Sequence, residues 1–261
     1  ATRVAGSEVL KSIGESNRFI LGGSADLAAS TKQIISNSIY SYENRAGQSI
    51  EFGIREHAMA AVVNGITLHS NLIGYGSTFL VFSDYMRPSI RLASLMDLNS
   101  VYIFTHDSIY LGEDGPTHQP VEHLMSLRLI PGLDVIRPSN SLETQYSYQY
   151  IFTKSNNPKS LVLTRQSLDY VETNLRYKNF QEGAYELIKG DDITIFASGS
   201  EVSLAIEVSK KLKNKSVQII STPILNQVNT DTLTNLKINE FEKVDLAFKY
   251  LLELKKWPKC N

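Results

Sequence analysis

The chain of 261 residues holds one cysteine, Cys260, so no internal disulfide can form. That scarcity fits a reducing compartment, and a cytoplasmic protein is the expectation. No run of eighteen or more apolar residues occurs, so no membrane span is expected. The opening residues Ala1 to Gly6 carry no apolar signal core and no initiator methionine. They are read as starting inside a longer product, or as belonging to a processed or engineered piece. Lys and Arg number 26 against 27 Asp and Glu, a formal charge of −1, which argues against nucleic-acid binding through bulk electrostatics. No GxGxxG follows a strand-like run and no GxxxxGK[ST] occurs, so dinucleotide and P-loop readings have no support. No GxSxG elbow is present either. His57, His106, His118 and His123 match no HExxH-type ligand spacing, and no metal ligand is expected in this chain.

What is present is an alternation of short apolar runs and helical stretches. Strands are predicted at 18–22, 49–53, 72–75, 100–105, 133–137 and 160–164. Helices are predicted at 7–15, with Ser7 as N-cap, and at 55–69, 83–98, 120–129 and 141–155. Pro88 is expected within or near the first turn of its helix, where proline costs least. The alternation predicts an α/β fold built on a doubly wound, mostly parallel sheet. Residues 1–168 form the first expected domain. Residues 166–190 are polar and aperiodic, and 169–190 are taken as a linker. A partial or divergent second α/β domain, 191–261, follows: a strand at 193–197, a helix at 201–211, a strand at 217–221, then a polar tail with an amphipathic run from Phe241 to Leu254.

A parallel sheet binds ligands beyond the carboxyl ends of its strands. Asp26, Glu56, Phe79, Phe82, His106 and Arg165 each follow a predicted strand, so one composite site at one sheet edge is expected. The polar stretch from Thr105 to Arg128 adds Glu113, Asp114 and His118 around a Gly115-Pro116 turn. Each residue also has a plain structural reading. Asp26 could cap a turn, and Glu56 could complement a helix dipole. Phe79, Phe82 and Tyr85, three apart, could be core, His106 a satisfied loop histidine, and Arg165 the partner of a surface acid.

Five segments together resemble the pyrimidine-binding domain of transketolase: GGSADLAAS (22–30), EFGIREHAM (51–59), GYGSTFLVFSDYMRPSIRLASLM (74–96), THDSIYLGEDGPTHQP (105–120) and LTRQSL (163–168). ASGSEV (197–202) resembles the start of that family's C-terminal domain. The resemblance spans roughly residues 1–222, and its most specific part is Gly112 to Pro120. It implies transfer of a two-carbon ketol unit between sugar phosphates in the pentose phosphate pathway, with thiamine diphosphate supplying a carbanion and an electron sink. Glu56 matches the glutamate that bonds a pyrimidine ring nitrogen and favours the imino tautomer, a role in which burial raises a carboxyl pKa. Phe79, Phe82 and Tyr85 match the pocket for the pyrimidine ring, and Asp26 an acid that organises the cofactor site. His118 matches a histidine near the reacting carbon, and Asp114 a carboxylate that reads a substrate hydroxyl. Arg3, Ser30, His106 and Arg165 match a cluster that grips the sugar phosphate.

No segment here matches the family's diphosphate- and metal-binding N-terminal domain, where Mg2+ or Ca2+ is expected. The resemblance therefore implies half a site, completed by a homodimer or by an N-terminal-domain chain, and an isolated chain without activity. A split subunit of another thiamine-diphosphate enzyme and a non-catalytic relic are the competing readings.

Overall fold

The computed structural model describes residues 1–111, 114–154, 156–169, 171, 173–226, 228 and 231. The expectations for Gly112, Glu113, Cys260 and the run from Phe241 to Leu254 lie outside the described residues.

The elements are α1 (Thr2–Ser16), β1 (Ile20–Ser24), α2 (Ala28–Thr31), β2 (Ser49–Glu51), α3 (Glu56–His69), β3 (Ile73–Phe79), α4 (Ser83–Leu95), β4 (Val101–Thr105), α5 (His123–Arg128), β5 (Asp134–Ile136), α6 (Ser141–Thr153), β6 (Lys159–Leu163), α7 (Tyr177–Gln181), β7 (Tyr185–Ile188), β8 (Ile193–Ala197), α8 (Glu201–Lys211) and β9 (Val217–Ser221). Six strands form one sheet in the order β2-β1-β3-β4-β6-β5, and every pairing is parallel. The α/β class with a parallel sheet is what the alternation predicted.

Side-chain alternation divides this sheet into two cores. Val101 and Ile103 of β4 enter one with Leu10 of α1 and Tyr148 and Ile151 of α6. Tyr102 and Phe104, one residue out of phase, enter the other with Met59 and Val63 of α3 and Met86 and Ile90 of α4. Helices thus cover both faces, which is what a parallel sheet of fully buried strands requires.

Several boundaries differ from the sequence reading, each for a physical reason. β3 spans Ile73–Phe79, four residues past the predicted end at Tyr75. Gly74 and Gly76 both face α3: a Cβ on Gly74 would lie 2.6 Å from the Val63 carbonyl oxygen, and one on Gly76 2.9 Å from Met59 Cγ. Their lack of a side chain lets helix and strand approach. α1 begins at Thr2, so Ser7 is a buried helix-interior residue and not a cap. A short 3-10 turn, Leu80–Phe82, leads into α4, and Pro88 falls in the second turn of that helix rather than its first.

The second sheet has the order β7-β9-β8. β8, α8 and β9 form the expected parallel unit. α7 and β7 lie within the stretch read as an aperiodic linker, and β7 pairs with β9 antiparallel. The two sheets meet at a bridge between Ile136 and Ile224, with Arg137 N–H donating to Pro223 O at 2.8 Å and Leu225 N–H donating to Val135 O at 2.8 Å. Among the described residues, no helix is long and apolar enough to cross a membrane.

Candidate active site

Because all six strands of the first sheet are parallel, their carboxyl ends share one edge, and the sequence-predicted residues gather along it. Phe79 ends β3, Phe82 closes the 3-10 turn, and Tyr85 sits in the first turn of α4. They are not a core stripe. Phe79 is 6% exposed, Phe82 is half-buried and Tyr85 is 65% exposed, so the run climbs from core to surface. Phe79 stacks on Phe82 with centroids 5.9 Å apart, and Phe82 meets Tyr85 at 6.2 Å.

Two histidines join these rings. His106 lies 3.8 Å from Phe79, centroid to centroid, and His118 meets Phe82 edge-on at 5.4 Å. Each imidazole has its Nδ1 2.8 Å from the hydroxyl of the preceding threonine, Thr105 or Thr117, which fixes the ring's orientation. His106 adopts φ +60, a left-handed conformation uncommon for a side-chain-bearing residue. Asp26, beyond the end of β1, does the same at φ +59 and is exposed.

The basic residues close the other flank. Arg3 Nη1 donates to Ser30 O at 2.6 Å, and Arg165 Nη1 donates to Leu111 O at 2.8 Å. These two guanidiniums and His106 sense one another. Burial, then the charge of Arg165, lowers the Arg3 pKa below its usual range. Burial, then Arg3, pushes His106 down to about 4; Asp114 opposes this, while Arg165 and His118 add to it. A cluster of mutually repelling cationic donors beside a neutral, buried imidazole is an arrangement that an anion would relieve.

Glu56 opens α3 and is half-buried. Among the described residues its carboxylate has no hydrogen-bond or ion-pair partner. A half-buried carboxylate without a protein partner is suited to a polar ligand group. The edge therefore combines an aromatic slot, an unpaired carboxylate, two imidazoles and an anion-attracting corner. Asp84, Glu122 and His123 also bring three oxygen or nitrogen ligand atoms within 4.8 Å of one another. There His123 Nε2 lies 3.1 Å from Asp84 Oδ2, a side-chain bond tying α5 to α4.

Sequence reasoning missed the residues behind the site. Asp107, next to His106, is fully enclosed and binds Arg137, which follows β5. A charged residue between Val135-Ile136 and Pro138 was a visible signal for Arg137. Its partners Asp107 and Glu201, 30 and 64 residues away, were not visible.

Comparison with known proteins accords with this geometry. Residues 1–170 match the family model described as the transketolase pyrimidine-binding domain. A transketolase from Mycobacterium leprae is 46% identical over 245 residues, covering 85% of this chain and 35% of that protein. Among solved structures, transketolase from Leishmania mexicana superposes with a TM-score of 0.83 at 38% identity, covering 87% of this chain and 35% of that one. A transketolase from Pichia stipitis in complex with sedoheptulose 7-phosphate gives 0.86 at 35% identity, covering 90% and 37%. The chain thus spans about a third of the length of the relatives it matches. With its parallel sheet, the residues gathered at the sheet's carboxyl edge and a family match over residues 1–170, the chain belongs to the transketolase family through its pyrimidine-binding domain.

Proposed function

We propose that this chain supplies the pyrimidine half and the sugar-phosphate grip of a transketolase site, which transfers a two-carbon ketol unit from a ketose phosphate to an aldose phosphate. The observation that carries the reading is the continuous edge from the Phe79–Phe82–His118 rings through His106 to Arg3 and Arg165. A flat heterocycle and a phosphate monoester are the two ligand chemistries such an edge suits.

The residues fit the pyrimidine end of thiamine diphosphate. Phe79, Phe82 and Tyr85 offer a slot between rings, and Glu56 offers a carboxylate with no partner among the described residues. When bound, the cofactor supplies the electron sink that breaking a carbon–carbon bond next to a carbonyl requires. In this reading Glu56 holds a proton on the pyrimidine ring, and Asp26 steadies the cofactor. His118 moves or shares a proton with substrate hydroxyls through Nε2, since Nδ1 faces Thr117. Asp114 accepts from a substrate hydroxyl. Arg3, Ser30, His106 and Arg165 grip the phosphate.

The diphosphate and its Mg2+ or Ca2+ fall to an N-terminal domain, in a second copy within a homodimer or in a partner chain, in the cytoplasm. Residues 1–168 then form the pyrimidine unit, with 191–261 a second unit joined through 169–190, a stretch whose β7 belongs to the second unit's sheet. The test is ketol transfer from xylulose 5-phosphate to ribose 5-phosphate, with thiamine diphosphate and magnesium. The chain is assayed alone and with an N-terminal domain from a relative. No turnover is expected alone and turnover is expected in the mixture, lowered about 100-fold or more by Glu56→Ala. Turnover by the chain alone would refute the half-site reading, and undiminished turnover with Glu56→Ala would refute the role of Glu56.

A further inference from the structure

Arg3, His106 and Arg165 come from three separate segments, and nothing local to any of them fixes their mutual spacing. Each adjoins a residue of one buried hydrogen-bonded chain. Thr164 N–H donates to Thr2 Oγ1 at 2.8 Å, and Thr164 Oγ1 donates to Asp107 Oδ2 at 2.9 Å. Arg3 N–H closes the group by donating to Thr164 O at 3.2 Å. Thr2, Thr164 and Asp107 are 2%, 0% and 3% exposed. The neighbours Thr2–Arg3, Asp107–His106 and Thr164–Arg165 therefore share one support.

That support rests on Arg137. Asp107 Oδ2 also accepts from Arg137 Nε at 2.9 Å and pairs with the charge on Nη2 at 2.9 Å, while Asp107 Oδ1 has no partner among the described residues. The other side of the guanidinium belongs to the second sheet's unit. Arg137 donates to Ser198 O at 3.1 Å, to Ser200 Oγ at 3.1 Å and to the Glu201 carboxylate at the start of α8. Gly199 N–H returns a bond to Arg137 O at 3.2 Å. Gly199 has φ +56, and a Cβ there would lie 2.6 Å from Arg137 Nε, so the Ser198–Ser200 turn is wrapped onto the guanidinium.

We infer that Arg137 is a positioning residue through which Ser200 and Glu201 of the second α/β unit set the spacing of the Arg3–His106–Arg165 phosphate clamp. The inference rests on the phosphate-grip reading above. It makes the grip on sugar phosphates responsive to how the N-terminus of α8 sits against the first sheet. Among the described residues, Glu201 has no hydrogen bond or ion pair with a clamp residue, and its bonds go to Arg137 and Ser200. The route is a run of short, buried, directional bonds, in which a shift at one end displaces the other.

The test uses the full 261-residue chain. Ribose 5-phosphate is titrated by NMR while the imidazole resonances of His106 and the melting temperature are followed, in wild type, Glu201→Gln, Arg137→Lys and Arg165→Ala. Wild type is expected to bind and Arg165→Ala to lose binding. Glu201→Gln, which keeps the shape of the side chain at a partly exposed position, should weaken binding on the order of fivefold and move the pH at which His106 titrates. Arg137→Lys should weaken it further. Wild-type affinity and an unmoved His106 titration in both Glu201→Gln and Arg137→Lys would overturn the inference, even with a lowered melting temperature, because stability alone is what a merely structural junction would change. No binding by wild type, or full binding by Arg165→Ala, would overturn the phosphate-grip reading itself, and this inference with it.

Discussion

His106→Asn should flatten the acid sensitivity of this protein. His106 is 3% exposed, packed on Phe79 and flanked by Arg3 and Arg165. Burial first, and those charges second, hold its pKa at about 4. In the unfolded chain an imidazole titrates near ~6.5. Between these values the unfolded state binds a proton that the folded state refuses. Stability contributed by the neutral ring is thus complete above about pH 6.5. It is lost as pH falls toward 4 and does not change further below. The full difference would be worth ~3 kcal/mol; screening of the Arg3 and Arg165 charges reduces this to about 1–2 kcal/mol. Asparagine is the chosen replacement because it tolerates the left-handed backbone, here φ +60, without adding a titrating group. The measurement is urea unfolding of wild type and variant at pH 7 and pH 4.5. Carboxylates that titrate over the same range contribute alike to both proteins and cancel in the comparison. Sulfate, a dianion throughout this range, should also shrink the wild-type loss, because a bound anion opposes the two guanidiniums and favours the imidazolium. An equal loss in both proteins, or a His106 that titrates near 6.5 by NMR, would refute the reasoning.

Two further changes probe the frame that holds the site. Arg137→Met should destabilise the chain by about 3–5 kcal/mol, because it strands the Asp107 carboxylate in a buried position, whereas Arg137→Met combined with Asp107→Asn should recover much of that loss. A double variant no more stable than the single one in urea would show that packing, and not the stranded charge, sets the cost. Gly74→Ala should cost about 1–3 kcal/mol, since its Cβ would press on the Val63 carbonyl oxygen, while Gly65→Ala, with nothing within 4 Å of its Cβ, should stabilise α3 by up to about 1 kcal/mol. Equal effects at the two glycines would mean that the close approach of α3 to β3 is not what excludes a side chain at Gly74.

The parallel sheet was legible because buried parallel strands are short apolar runs punctuated by polar loops, and β1, β4 and β6 are of that kind. β3 was read too short because Gly76, just past its predicted end, carries its meaning in α3, not in its own strand. α7 and β7 were missed for a related reason. A five-residue helix has too few turns to show a period, and Tyr185–Ile188 becomes a strand only through β9, about thirty residues later. Lys159 shows the limit from another side. It falls just before the predicted strand 160–164, yet it is fully buried, with its ammonium donating to Asn99 Oδ1 and to the carbonyls of Lys154 and Asn156, and burial lowers its pKa to about 8. No local pattern tells a capped, buried lysine from a solvated one. The site divides in the same way. Polar residues just past strand ends could be found one by one, because a parallel sheet puts all those ends on one edge. The Asp107–Arg137–Glu201 junction needs three segments brought together by the tertiary fold.

The end of β4 shows why the two kinds of residue are hard to separate. Along the strand, successive side chains alternate between the two cores, Val101 and Ile103 on one side, Tyr102 and Phe104 on the other. Beyond Thr105 the chain turns left-handed at His106, which breaks the alternation. His106 faces the aromatic and cationic groups of the site, while Asp107 enters the network held by Arg137. Two adjacent residues thus face different ways, one toward the rings and cations at the sheet edge and one toward the second sheet. A backbone conformation uncommon for histidine is stable here because both neighbours are fixed, Thr105 by the β-ladder and Asp107 by Thr164 and Arg137. The same fixation limits what a ligand can do at His106. An anion binding there can change the proton on the ring, but swinging the ring away would break its bond to Thr105 Oγ1 and its packing on Phe79. Under the proposed phosphate grip, the response of the loop is electrostatic, and the positioning inferred for Arg137 sets its shape from the far side.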